Sequence, residues 1–173
     1  MNLATVLSID SLIKHPNADS LEICKIKNWE VIVKLGEFQI GEKICFIAPD
    51  SVLPDVSWAA FYKAKSKRVR AIKLRNSWSY GIVEKLERVG LDSTYPLDTD
   101  VTERLGIIKY CPPEPQDLQA KGQLPFGIGI TDEENWQNLD EIPYGQLCEV
   151  SLKIDGKSWT AYAAKRHNEW FTG

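Results

Sequence analysis

The stretch "EVSLKIDGKSWTAYAA" carries Lys153, Asp155 and Gly156 in a spacing that suits phosphorus chemistry. A lysine attacks phosphorus only as the neutral amine, so burial or nearby positive charge must lower its pKa. An aspartate two residues on can accept a hydrogen bond from a sugar hydroxyl or orient a neighbouring donor. The glycine beside it lets backbone approach a ligand closely. Divalent cations would neutralise a polyphosphate and draw charge from its leaving group. The same residues also describe an ordinary hairpin, with Asp155-Gly156 as a two-residue turn and Lys153 solvated beside it. The tetrad alone does not choose between the two.

A second candidate lies between Lys63 and Arg75, where "KAKSKRVRAIKLR" holds seven basic residues and no acidic one. That segment carries +7 against a net charge of −3, which leaves −10 on the rest of the chain. Such a patch on an acidic protein fits a local polyanion site. Lys63, Lys65, Lys67, Arg68, Arg70, Lys73 and Arg75 would track phosphates, and Trp78 would stack on a base. Alternate residues of a strand share a face, so Lys73 and Arg75 are expected to point together. The plainer reading is a solvated strand face, with Trp78 in the core and Tyr80 closing a turn. Cys24, Cys45, Cys111 and Cys148 show no paired spacing, and His15 and His167 lie far apart. No zinc site or disulfide framework is expected, and no metal ligand is assigned. Free buried thiols fit a reducing, cytoplasmic setting.

The elements that must position these residues are mostly strands. Hydrophobic content of 43% and charged content of 26% describe a globular chain, and 173 residues can bury a core. No apolar run approaches the roughly 20 residues a membrane span needs, and the N-terminus lacks a signal-peptide pattern. "LEICKIKNWEVIVKLGEF" offers two short strands with the bend near Asn28, and Gly41 turns the chain into the apolar strand of "KICFIA". "DSVLPDVSWAAFYKAKSK" is an irregular or helical excursion, after which "RVRAIKLRNSWSYGIVEKL" returns to strand. Five or so strands broken by Gly, Asn and Asp predict an OB-like closed five-stranded barrel over residues 1–108. Prolines 112, 113, 115 and 125 with glycines 122, 127 and 129 mark a linker over 109–129. Beyond it, Thr131 and Glu134 fit a capping box opening a short helix that places Trp136 and Leu139 on one face. The chain from 130 to 173 ends in a strand, the Asp155-Gly156 turn and a returning strand, "SWTAYAA".

Taken together, "KIDG", the following "KS" and the upstream "TDEENWQNL" resemble the opening of the covalent nucleotidyltransferases: DNA ligases, RNA ligases and mRNA capping enzymes. "WEVIVKLGEFQIGEKICFIAPDSVLP" and "RAIKLRNSWSYGIV" are similar to the OB domain at the front of one bacterial and phage RNA ligase family. The order, barrel first, is that family's, whereas in DNA ligases and capping enzymes the OB domain usually follows.

The resemblance implies a mainly β chain: an N-terminal OB barrel, a linker, and the start of an α+β adenylyltransferase domain. It implies ATP and Mg2+ or Mn2+ as cofactors, Lys153 as nucleophile, and Leu152, Asp155 and Gly156 in the nucleotide pocket. The partner implied is nicked or structured RNA, with DNA-containing strands as a further option. The later motifs of that family, which hold ribose, metal and phosphates, do not fit into "KSWTAYAAKRHNEWFTG". The chain alone is therefore expected to be inactive, with an exposed C-terminal strand edge open to self-association. A rival expectation is a non-catalytic OB module that grips nucleic acid.

Overall fold

The computed structural model describes residues 2–111, 136–139, 144–147, 149, 163–166 and 169–172. Contacts divide the chain into two compact units, Met1–Asp140 and Glu141–Gly173. The strands of the first unit are β1 (Ala4–Ser8), β2 (Ser11–Lys14), β3 (Leu21–Ile26), β4 (Trp29–Lys34), β5 (Lys43–Ile47), β6 (Ser51–Val52), β7 (Ile72–Leu74), β8 (Ser77–Ser79), β9 (Ile82–Lys85) and β10 (Ile108–Lys109). One short helix, α1 (Ala60–Lys63), follows a 3-10 turn at Ser57–Ala59. In the second unit β11 (Ala163–Arg166) pairs with β12 (Glu169–Thr172), a hairpin that the sequence reading does not anticipate.

Period-2 burial explains β3 and β4. Cys24, Ile26, Trp29, Val31 and Val33 are buried, and the residues alternating with them are largely half-exposed. Lys27-Asn28 joins the two strands, with Lys27 in the left-handed region at φ 49°. Gly41, at φ 80°, turns the chain into β5. Both turns lie where the sequence places them.

The first barrel strand is bent. β1 pairs with β5, and then Asp10 donates to the Lys25 carbonyl at 2.9 Å as β2 takes up β3. Two three-stranded sheets result, in the orders β1-β5-β9 and β2-β3-β4. The expected closed ring is therefore corrected to two sheets that share a bent first strand. At the seam between β4 and β9, the Tyr80 amide donates to the Glu30 carbonyl at 2.8 Å and the Ile32 amide to Ser79 Oγ at 3.0 Å. Beyond them β9 turns to β5. Gly81, at φ 84°, permits this because its α-carbon lies against the Ile47 carbonyl and the Phe46 ring.

The sheet β1-β5-β9 is buried on both faces. Leu7, Ile44, Phe46 and Val83 face the barrel interior with Trp29, Val31, Val33 and Phe38. Ala4, Val6, Cys45, Ile47 and Ile82 face a second core, made with Leu53, Ala59, Val69, Leu86, Val101 and Ile107. Residues 98–101 run along the free edge of β1, and the Val101 amide donates to the Ala4 carbonyl at 2.9 Å. Among the described residues, no helix is long and apolar enough to cross a membrane.

Candidate nucleic-acid interface

The connection from β5 to β9 holds α1, the basic segment and a hairpin. Arg75 (φ 47°) and Asn76 (φ 71°) form the two-residue loop between β7 and β8, the left-handed pair that a tight hairpin requires. Arg75 is thus a turn residue at the tip and does not continue the strand of Lys73. This corrects the expectation that the two side chains share a face. Lys73 pairs directly with Trp78, while Ile72 and Leu74 point to the other side.

That other side is concave. A groove of about 710 Å³ lies at the seam between β4 and β9, under the hairpin and the segment 61–70. Val31, Val33, Phe38, Val83, Ile72 and Leu74 are among its apolar walls, and Lys63, Lys65, Lys67, Arg68 and Arg70 stand on its rim. The same five cations, with Ser66 and Tyr110, line a second cavity of about 390 Å³.

Two of these cations are anchored. Lys63 pairs with Asp55, and Arg68 Nη1 lies 3.0 Å from Asp50 Oδ1 with its guanidinium 4.3 Å from the Tyr110 ring centre. Lys65 sits 3.9 Å over the exposed Phe61 ring. Lys65, Lys67 and Arg70 have no acidic partner among the described residues, so this surface keeps an excess of positive charge.

Beneath the rim, the Tyr62 hydroxyl donates to Glu84 Oε1 and Arg88 Nη1 stands 3.5 Å from Oε2. Burial raises the Glu84 pKa, and the Tyr62 hydrogen bond and Arg88 only partly oppose it. Burial likewise raises the Tyr62 hydroxyl, with the Glu84 bond and charge adding to it. This contact ties α1 to β9 and holds the start of the basic segment in place.

Trp78 is 49% exposed and stacks on Tyr80 at 6.2 Å and 28° between planes. Tyr80 packs on Trp29 in turn, and Trp29 on Phe46. Trp78 is therefore not core, but an outer ring braced from within. The loop between β2 and β3 joins this face, since the Asn17 side chain donates to the Arg75 carbonyl at 3.1 Å.

The structure thus gathers Lys63, Lys65, Lys67, Arg68 and Arg70, puts Lys73 and Trp78 on the opposite face of the hairpin, and leaves Arg75 at its tip. Sequence reasoning missed Tyr110, Ile72 and Leu74. Tyr110 arrives through the pairing of β10 with β6 and the hydrogen bond that its amide donates to the Asp50 carbonyl at 2.8 Å, for which the sequence carries no signal. Ile72 and Leu74 were hidden among the charges between them. Leu152, Lys153, Asp155 and Gly156 lie outside the described residues, as do Thr131 and Glu134. Cys24 and Cys45 are buried as expected, and burial pushes each thiol up to about 12. Cys111 is exposed, contrary to the expectation of buried thiols. Among the described residues no group of His, Cys, Asp and Glu could hold a metal ion.

Residues 3–86 match a family model described as an OB-fold domain. This part of the chain is an OB fold. The solved structure of a Naegleria gruberi RNA ligase variant with ATP and Mn is similar over 80% of this chain, at 28% identity and a TM-score of 0.66. The same ligase with PPi is similar at 28% identity over 80% of the chain, with a TM-score of 0.65. In both cases the match covers 44% of the ligase, so the chain spans less than half the length of these relatives. The phenylalanine–tRNA ligase beta subunit of Oceanobacillus iheyensis is 24% identical over 128 residues, 72% of this chain and 14% of that subunit. With β1 and β2 as one bent strand followed by β3, β4, β5 and β9, the β2–β3 loop and the β5–β9 connection follow the first and fourth strands of the barrel, positions where OB folds commonly bind oligonucleotides.

Proposed function

We propose that the chain is the N-terminal portion of an RNA ligase, in which the OB fold engages RNA and Lys153 carries AMP. The observation that carries this reading is the likeness to an RNA ligase over 80% of the chain, in a chain that holds Lys153-Ile154-Asp155-Gly156. Solved forms of that ligase include variants at a lysine and at an aspartate two positions beyond it, the spacing of Lys153 and Asp155. In the first step Lys153 Nζ attacks the α-phosphorus of ATP. A P–N bond forms, the bond to pyrophosphate breaks, and the amine proton passes to solvent. AMP then moves to an RNA 5′-phosphate, and a 3′-hydroxyl displaces it to seal the strand. Leu152, Asp155 and Gly156 belong to the nucleotide pocket in this reading. Mg2+ or Mn2+ would neutralise the triphosphate when bound. Among the described residues no cluster fits such an ion.

The test is covalent labelling of the complete ligase with ATP. Lys153→Ala is expected to abolish the protein–AMP adduct and Lys157→Ala to keep it, because only Lys153 precedes Asp155-Gly156. An adduct mapped to Lys157 would overturn the assignment. A second reading, a non-catalytic OB module on RNA, is favoured by the match to the tRNA ligase subunit. It predicts no adduct at either lysine alongside intact RNA binding.

A further inference from the structure

The two cavities share one wall. Lys63, Lys65, Lys67, Arg68 and Arg70 line both, with Tyr110 behind them on one side and the apolar groove of β4, β7 and β9 on the other. A compact cationic lobe thus adjoins a larger apolar lobe across a single segment of backbone. The ligand that matches has an anionic group and a flat apolar group a few bonds apart, which describes a nucleotide. The groove, at about 710 Å³, lies within the range of 300–1,000 Å³ typical of ligand pockets.

Resting on the RNA-engaging reading above, we propose that this paired cavity takes an unpaired nucleotide of the RNA strand. Its phosphate lies in the lobe between 63–70 and Tyr110, and its base is splayed into the groove against Val33, Ile72 and Leu74. A duplex presents phosphates and sugars and keeps its bases stacked inside, so it can satisfy the cations but not the apolar walls. A strand with free bases satisfies both. Ile72 and Leu74 are 48% and 37% exposed on the wall of this groove, so a base lying there would cover apolar surface that now faces water. The anchoring of Arg68 by Asp50 and Tyr110, and of Lys63 by Asp55, holds the phosphate side ready before the strand arrives.

Fluorescence anisotropy with the 173-residue chain tests this. Three RNAs of about 12 nucleotides, within the span one OB fold covers, are compared: a single strand, the same strand made abasic, and a blunt duplex. The single strand is expected to bind about tenfold more tightly than either of the others. Ile72→Ser with Leu74→Ser, uncharged changes at exposed positions, should bring the single strand down to the abasic level and leave the duplex unchanged. Lys67→Glu with Arg70→Glu should weaken all three. Equal affinity for the three RNAs, with Lys67 and Arg70 still required, would overturn the base site while leaving RNA engagement standing. Displacement of the strand by an equal concentration of free AMP would make this a mononucleotide site and also overturn the proposal. Absence of salt-sensitive binding to any of the three would sink the RNA-engaging reading itself.

Discussion

Glu84 is buried with two partners that do not fully offset its desolvation. The Tyr62 hydroxyl and Arg88 favour the carboxylate, burial opposes it more strongly, and the pKa ends above the ordinary 4.5. A carboxyl raised in the folded state holds its proton more tightly there than in the unfolded chain. Its contribution to stability is therefore complete below 4.5 and is lost as pH rises through the raised value. Glu84→Gln keeps the neutral form at every pH. The stability of wild type relative to Glu84→Gln, from urea unfolding at several pH values, should accordingly be highest in acid and decline toward neutral pH. A difference that stays flat would mean that Glu84 ionises as it does in water. Tyr62→Phe removes the donor and should cost about 1–3 kcal/mol, more at neutral than at acid pH. Neither Glu84 nor Tyr62 can be singled out in the sequence, because "GIVEKL" reads as an exposed-face glutamate, whereas in the fold Glu84 is buried against Tyr62 of α1.

At the scale of elements, Gly81 decides where the barrel opens. Any side chain there meets the Ile47 carbonyl, and the Phe46 ring lies 2.9 Å from an added β-carbon, in a backbone at φ 84°. Gly81→Ala therefore combines left-handed strain with overpacking, and should destabilise by about 2–4 kcal/mol. The expected signature is a lower urea midpoint with an unchanged slope. A loss under 0.5 kcal/mol, within the range of ordinary surface substitutions, would mean that β9 shifts freely off β5. Most strands were legible, since alternation in "LEICKIKNWEVIVK" and the apolar run "KICFI" fix β3, β4 and β5. The β7–β8 hairpin was not. Its loop is Arg75-Asn76 with no glycine, so the turn is hidden inside a charged run, and with it the side to which each cation points.

For the whole molecule, the excess charge on one face of an acidic chain sets how the proposed RNA complex responds to salt. Lys65, Lys67 and Arg70 are the rim cations without an acidic partner among the described residues. If each meets one phosphate of a single strand, log affinity should fall with log salt at a slope of about −2. Reversing Lys67 and Arg70 should flatten that slope more than reversing Lys73 and Arg75, which lie on the far side and at the tip of the hairpin. A larger effect at Lys73 and Arg75 would place the strand on the Trp78 face instead. The sequence by itself determined the β-rich class, the turns at Asn28 and Gly41, the cationic segment and the Lys153 tetrad. All of these are local properties of neighbouring residues: alternation, backbone freedom and charge. Only the tertiary structure decided that the barrel parts at β4 and β9, that five of the seven cations share a wall with apolar residues, and that Tyr110 closes the smaller cavity. Those outcomes depend on pairings between residues tens of positions apart, such as Lys109 with Ser51 and Tyr80 with Glu30, and no short window of sequence records them.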